Sequence, residues 1–368
     1  MKPYEQFIGQ MMESARRVQA RDPAAATDII QQALAQAGLL APQAAPGAAQ
    51  ARPEFVDLNP PPGWSRATAR ARPGPRHGAR GVQAAPDLPG RFIAGSHRCE
   101  AGARRYKLYI PARESATPRA LVVMLHGCTQ NPDDFAAGTG MNALAEEAGC
   151  LVLYPEQDGG ANHSHCWNWF EPGHQARDAG EPGIIADMTR QIVKEYDADP
   201  SQVFVAGMSA GGAMAAVLGA EYPELFAAIG VHSGLPAGSA RDMISGLQAM
   251  KKPGRSRSLR EAVPVIVFHG DADHVVNCAN GEAVLDQFVG AHAGLRATPL
   301  QAGVAESTEG GRRSTRRSWR DEAGRTMAEH WIVHGAGHAW AGGNPAGSHT
   351  DALGPNASRE MLRFFLQR

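Results

Sequence analysis

The stretch Val203-Phe204-Val205-Ala206-Gly207-Met208-Ser209-Ala210-Gly211-Gly212-Ala213-Met214-Ala215 decides the fold. An apolar, β-branched run ends in G-x-S-x-G, and small residues suited to a helix follow. Strand, sharp turn and helix together make a nucleophile elbow, the turn that lifts a serine Oγ clear of a sheet. Gly207 and Gly211 are expected where a Cβ would strike the neighbouring strand or helix. The helix start would aim free N–H groups and the positive end of its dipole at a developing oxyanion. An ordinary Gly-rich turn can show the same pentapeptide, so the partners of Ser209 carry the decision.

Outward from the elbow, apolar runs alternate with helical patterns. Arg105 to Pro111 alternates as a strand should. Ala120 to Leu125 is continuously apolar, as a strand buried on both faces requires. Asn142–Ala148 reads as helix, Cys150–Tyr154 as strand and Ile184–Tyr196 as helix. Ala228–His232 and Val263–Phe268 read as strands, Gly281–Phe288 as helix, Glu329–Val333 as the last strand and Ser358–Gln367 as the closing helix. This order predicts an α/β fold over residues 91–368, a mostly parallel sheet with helices on both faces.

The first 90 residues differ. Tyr4, Phe7, Met11, Ala15 and Val18 share one helical face. After Asp22-Pro23, an N-cap and first-turn proline, Ala26, Ile29, Ile30, Ala33, Leu34 and Ala37 form a second apolar face that stops at Gly38. Residues 1–40 thus read as a small helical hairpin, which either packs on the main domain, dimerises or attaches to a hydrophobic surface such as a polymer granule. Residues 41–90 are rich in Pro, Ala, Gly and Arg and read as a disordered linker. Its Arg66, Arg70, Arg72, Arg76 and Arg80 read as solvated linker charge, with adhesion to an anionic surface or nucleic acid the sharper alternative.

Lys+Arg 36 against Asp+Glu 37 gives a net charge of −1, which argues against nucleic acid as partner. No run approaches the roughly 18 apolar residues of a membrane span. The stretch after Met1 lacks a secretory h-region, so the expected location is the cytoplasm. The 5 cysteines contain no C-x-x-C pair, and neither zinc nor any other metal or cofactor is expected. Cys150 reads as a buried small hydrophobe. Cys128 and Cys166 fall in loops near the elbow, where a bridge would be unusual in a reducing cytosol.

In an open α/β sheet, ligands sit beyond the carboxyl ends of the strands. Acids and histidines just past apolar runs are therefore the candidates. One run gives His269-Gly270-Asp271-Ala272-Asp273; another gives His334-Gly335-Ala336-Gly337-His338-Ala339-Trp340. The order serine, acid, histidine is that of α/β-hydrolases. Asp273 is the expected acid, with Asp271 the alternative. His338, flanked by Gly335 and Gly337, is the expected base, because His334 stands too close to its strand. The two oxyanion donors would be the Ala210 N–H and that of Cys128, in the loop after the early buried strand.

With these residues in place, the chain from about Arg91 onward resembles the poly(3-hydroxybutyrate) depolymerase/esterase family. The matching motifs are Leu125-His126-Gly127-Cys128-Thr129-Gln130, Cys166-Trp167-Asn168-Trp169-Phe170, Gly207-Met208-Ser209-Ala210-Gly211-Gly212 and Gly337-His338-Ala339-Trp340. The resemblance implies an α/β-hydrolase fold, a Ser209–Asp273–His338 triad, Cys128 as oxyanion donor and hydrolysis of short 3-hydroxyalkanoate chains. It also implies a Cys128–Cys166 pairing, a disulfide position in secreted relatives; whether the two are bonded here stays open, since a reducing cytosol disfavours the bond. Trp340, Trp169 and Trp167 are expected to wall a crevice for an aliphatic polyester. The expected partner is a polyester granule or a small ester. Rival readings are a feruloyl or acetylxylan esterase, an acyltransferase using the same triad, and a granule-coat protein with incidental esterase activity.

Overall fold

The computed structural model describes residues 88–113, 118–261, 263–295 and 299–367. These belong to the second of the two units into which the chain divides, Gly78–Arg368. The hairpin expected over 1–40, and nearly all of the linker expected over 41–90, lie outside the described residues.

In chain order the main strands are β1 (Arg91–Cys99), β2 (Gly102–Ile110), β3 (Arg119–Leu125), β4 (Leu151–Pro155), β5 (Ala198–Met208), β6 (Ala228–His232), β7 (Val265–Gly270), β8 (Gln301–Glu309), β9 (Arg312–Arg320) and β10 (Thr326–Val333). They form one sheet in the order β1-β2-β4-β3-β5-β6-β7-β10-β9-β8. The centre, from β4 to β10, is parallel. Antiparallel pairs extend both edges, β1–β2 beside β4 and β9–β8 beside β10. The α/β-hydrolase expectation holds for the parallel core. The β8–β9 hairpin was not foreseen, because its strands are charged and polar on both faces and β8 is almost wholly exposed.

The helices are α1 (Pro132–Thr139), α2 (Met141–Ala148), α3 (Gly180–Glu195), α4 (Ala210–Glu221), α5 (Met243–Lys251), α6 (Ala279–Leu295) and α7 (Ala357–Leu366). Their starts follow from short polar side chains. Asn131 accepts from the Asp134 N–H before Pro132, Asp242 and Ser245 make a reciprocal capping box, and Asn356 accepts from the Arg359 N–H. Alternation along β3 sorts the core. Leu121, Val123 and Leu125 face a cluster with Ile184, Ile185, Met214, Val284 and Phe288, from α3, α4 and α6. Val122 and Met124 face Phe135, Met141, Leu144, Met361 and Phe365, from α1, α2 and α7.

Strand β3 lies between β4 and β5, so the chain leaves it first to one side and then to the other. The loops after β3 and β5 therefore meet, as at any topological switch point. Their contact is close. A Cβ on Gly211 would lie 2.1 Å from Leu125 O, and one on Gly207 would lie 2.4 Å from the Gly211 carbonyl. Both glycines are there because the backbones touch.

Gly211→Ala must push α4 off β3. The variant is expected to lose about 1–3 kcal/mol, the usual penalty for overpacking. Urea unfolding with an unchanged m-value checks this; wild-type stability would show that helix and strand separate freely.

Candidate active site

Ser209 follows the last residue of β5 and is the N-cap of α4, at φ 55° and ψ −119°. A non-glycine residue with that backbone is strained, and the surroundings hold it there. Its N–H donates to His232 O across the sheet (2.9 Å), and its own C=O accepts from Ala213 N (2.9 Å). Ala210 N–H lies at the first turn of α4, where no intrahelical acceptor exists. Cys128 N–H lies in the loop after β3. Within the described chain, no hydrogen bond takes up either amide.

That loop is held from several sides. The Gly127 N–H donates to Gln130 Oε1 (2.9 Å), and Gln130 Nε2 donates to Asp134 Oδ2 and Ser348 O. Thr129, at φ 65°, donates its N–H to Ser164 O (2.7 Å). His126 donates from Nδ1 to Gly127 O and accepts the Gln157 N–H at Nε2. Burial lowers its pKa to about 4, so the ring stays neutral and keeps that acceptor. Cys128 is bonded to Cys166. The pairing that the resemblance implies is thus present as a formed disulfide, a state that persists in oxidising compartments.

Two Asp–His pairs stand past β7 and β10. Asp273 Oδ2 meets His338 Nδ1 at 2.7 Å, while its Oδ1 accepts the Val275 and Val276 N–H groups, each at 2.9 Å. Burial alone would raise the Asp273 carboxyl. Hydrogen bonds from His269 and His338, the His338 charge and the Val276 amide outweigh it and hold the group well below the usual carboxylate range. Asp271 instead meets His334 Nδ1 (2.7 Å) and accepts the Gly335 N–H. The second nitrogen separates the pairs. His334 Nε2 is taken by Thr315 Oγ1 (2.9 Å), whereas His338 Nε2 has no hydrogen-bond partner among the described residues. Only the Asp273–His338 pair is free to receive a proton.

A serine at a strained elbow, two unspent amides and an Asp–His pair with an open Nε2 thus follow the carboxyl ends of the parallel strands, alongside a match to a known family. This chain belongs to the esterase PHB depolymerase family. The family's model matches residues 104–309, which include Ser209 and Asp273. His338 lies beyond the matched residues, and the fold brings it back. Among curated relatives, poly(3-hydroxyalkanoate) depolymerase C of Paucimonas lemoignei is 33% identical over 59% of this chain and 54% of its own length. Poly(3-hydroxybutyrate) depolymerase of Ralstonia pickettii is 39% identical over 37% of this chain and 30% of its own. The match therefore spans about half or less of these relatives. An acetyl xylan esterase structure from Aspergillus awamori shares the fold, with TM-score 0.54 and 21% identity over 72% of this chain and 94% of that one.

The tryptophans require correction. Trp167 and Trp340 are fully buried, with indole N–H groups bonded to His126 O and Ser358 Oγ. Trp340 packs edge-on to Phe135 and stacks on His232. Satisfied, buried rings wall no crevice; they support the loops from beneath. Trp169 is also buried, against Phe170 and next to Gly246 of α5.

Sequence reasoning passed over the supports. Glu181 is fully buried and accepts from Asn168 N, Asn168 Nδ2 and Gln157 Nε2, with Arg104 Nη2 at 3.3 Å. It braces the loop that carries Cys166, and its only signal was an acid closing a Gly- and Trp-rich segment. Among the described residues, His97, Cys99 and Asp187 could hold a metal, with ligand atoms within 4.8 Å of one another. They lie on β1 and α3 and share no residue with this site.

Reaction of Ser209 with a fluorophosphonate reads the Asp–His pair directly. Asp273→Asn is expected to slow labelling by about 10³-fold or more, since the wrong imidazole tautomer then faces the serine. Asp271→Asn should stay within about tenfold of wild type, because it acts on the pair with no open nitrogen. Equal losses would remove the distinction between the pairs.

Proposed function

We propose that the protein is a serine hydrolase that cleaves carboxylic esters, with poly(3-hydroxybutyrate) or its oligomers as substrate. The observation that carries the reading is the Asp273-held His338, its Nε2 open, past the carboxyl ends of the parallel strands as Ser209 is. His338 Nε2 takes the Ser209 Oγ proton as Oγ attacks the ester carbonyl carbon. The carbonyl oxygen becomes an oxyanion and is met by the Cys128 and Ala210 N–H groups. The intermediate collapses, the C–O bond to the alcohol breaks, and His338 returns the proton to the leaving oxygen. Water then repeats both steps on the acyl-enzyme, releasing the acid and restoring Ser209. Asp273, kept ionised, holds the Nδ1–H tautomer and offsets the imidazolium charge in each half.

Two observations support an insoluble polyester over a small ester. Two of the relatives that match the chain are named for polyhydroxyalkanoate or polyhydroxybutyrate depolymerisation, while others are named acetylxylan or feruloyl esterases. In addition, Met243, Ile244, Leu247 and Val275 are four of the seven large apolar side chains exposed among the described residues. Three of them lie on α5, whose inner face packs through Gly246 on Phe170 and Trp169. The C-terminal end of α5 is tied to the segment after Asp273 by Lys251 Nζ to His274 O (2.7 Å) and Asn277 N to Met250 O (2.8 Å). An apolar surface beside the reacting groups suits a hydrophobic chain held on a solid. The hairpin read over 1–40 would add to such attachment. The Cys128–Cys166 bond supports an oxidising location rather than the cytoplasmic one expected from the N-terminus. None of the described helices is long and apolar enough to cross a membrane.

Amorphous poly(3-hydroxybutyrate) granules and p-nitrophenyl butyrate test both levels. Release of 3-hydroxybutyrate oligomers that Ser209→Ala abolishes is expected; turnover of the small ester alone would move the substrate to another ester class. The combined change Met243→Ser, Ile244→Ser and Leu247→Ser should cut granule hydrolysis by about tenfold or more, given the transfer energy of each side chain. The same variant should leave p-nitrophenyl butyrate turnover unchanged; an equal loss on both substrates would place α5 in the catalytic machinery.

A further inference from the structure

His338 follows β10, and β10 lies three strands from β5, which carries Ser209. At about 4.8 Å per strand, the two strand ends are roughly 14 Å apart. Something must bring the histidine loop back across the sheet and hold it there. The strands between are β6 and β7, and β6 ends in His232.

His232 sits in register with Met208 on β5 and with Phe268 on β7. Its backbone and side chain serve different partners. The backbone C=O accepts the Ser209 N–H (2.9 Å), gripping the strained elbow. The ring Nε2 accepts the N–H of Ala341 (3.0 Å), in the short β11 (Trp340–Ala341) just past His338. The ring itself is stacked between Phe268, at 5.8 Å between centroids, and Trp340, at 4.9 Å. On its other side, β11 pairs with β12 (Thr350–Asp351), so the loop is fixed from two directions.

We infer that His232 is a positioning residue that sets His338 relative to Ser209. The inference rests on the ester-hydrolase reading above. The residue type fits the task. The sandwich needs a flat aromatic ring, and the Ala341 amide needs an acceptor at the far end of that ring. Phenylalanine supplies the first alone, and glutamine the second alone. Imidazole supplies both only while neutral, with its hydrogen on Nδ1, where Ser233 Oγ lies at 3.2 Å. The ionisable groups acting on it are His269, His338 and Asp273. Burial first, then the charges of His269 and His338, lower its pKa to about 3 against the weaker pull of Asp273. His232 therefore remains an acceptor when His338 takes up the serine proton. A second imidazolium in this place would lose the Ala341 bond at the moment the loop must stay still.

The test is steady-state hydrolysis of p-nitrophenyl butyrate by wild type, His232→Phe, His232→Asn and His232→Gln, with thermal unfolding of each. His232→Phe keeps the stack and loses the acceptor. His232→Asn is polar but too short to reach Ala341. His232→Gln reaches it without the ring. Loss of about 100-fold in kcat is expected for Phe and Asn, the scale set by misplacing a reacting group by about 1 Å. KM should change by less than about twofold, since the residue touches no substrate. His232→Gln should recover a substantial part of kcat even where its melting temperature is the lower one. A merely structural role predicts that kcat follows melting temperature across the series and is normal in any variant folded at the assay temperature; that result overturns the inference. So do equal kcat values for Gln and Asn. An inert wild type would instead sink the ester-hydrolase reading, and this one with it.

Discussion

The close approach of two backbones, the start of α4 against the end of β3, is the constraint on which the rest depends. Leu125 O and His126 O occupy the space where a Gly211 side chain would be. That contact sets the height of the elbow above the sheet and places the loop after β3 beside Ser209. Two amides from different parts of the chain then lie near Ser209 without either having to move. Preorganisation of this kind is where most transition-state stabilisation by dipoles originates, since no reorganisation is needed during reaction.

Around that contact the site is built from groups whose ionisation has been settled in advance. Asp273 is buried yet ionised, because three neighbours, the His269 and His338 imidazoles and the Val276 N–H, outweigh the cost of burial. His126 and His232 are buried and neutral, each with a ring nitrogen accepting a backbone N–H. Among these rings, His338 alone has an open nitrogen and an acid partner. Fixing the charge of the neighbours leaves a single place for the mobile proton.

Much of this was legible in the sequence. Glycines at 207 and 211 announced a close approach, and continuous apolar runs at 120–125 and 263–268 announced strands buried on both faces. The choice of Asp273 over Asp271 came from the likeness of the stretch His269 to Val275 to a hydrolase loop whose last acid orients the histidine, and the structure places Asp273 Oδ2 against His338 Nδ1. What stayed hidden had no periodic signal. β8 and β9 are polar on both sides, since each lies at or near a sheet edge open to water. The tryptophans were placed in a crevice because loops usually lie at the surface, but Trp167 and Trp340 turn inward and spend their N–H groups on the protein. Glu181 and His232 act through partners distant in sequence, and a single chain carries no mark of such pairs.

The Cys128–Cys166 bond has a consequence for the unfolded chain. It closes a loop over a sequence separation of 38, enclosing α1, α2 and β4. By chain-entropy arguments, closing a loop of that length removes about 4 kcal/mol of disorder from the denatured ensemble. The loop after β3 and the loop that Glu181 braces are thus held together even in the denatured chain, whereas the histidine loop, more than 200 residues downstream of Cys128 in a chain of 368, depends on hydrogen bonds of the folded state such as that from Ala341 N–H to His232 Nε2.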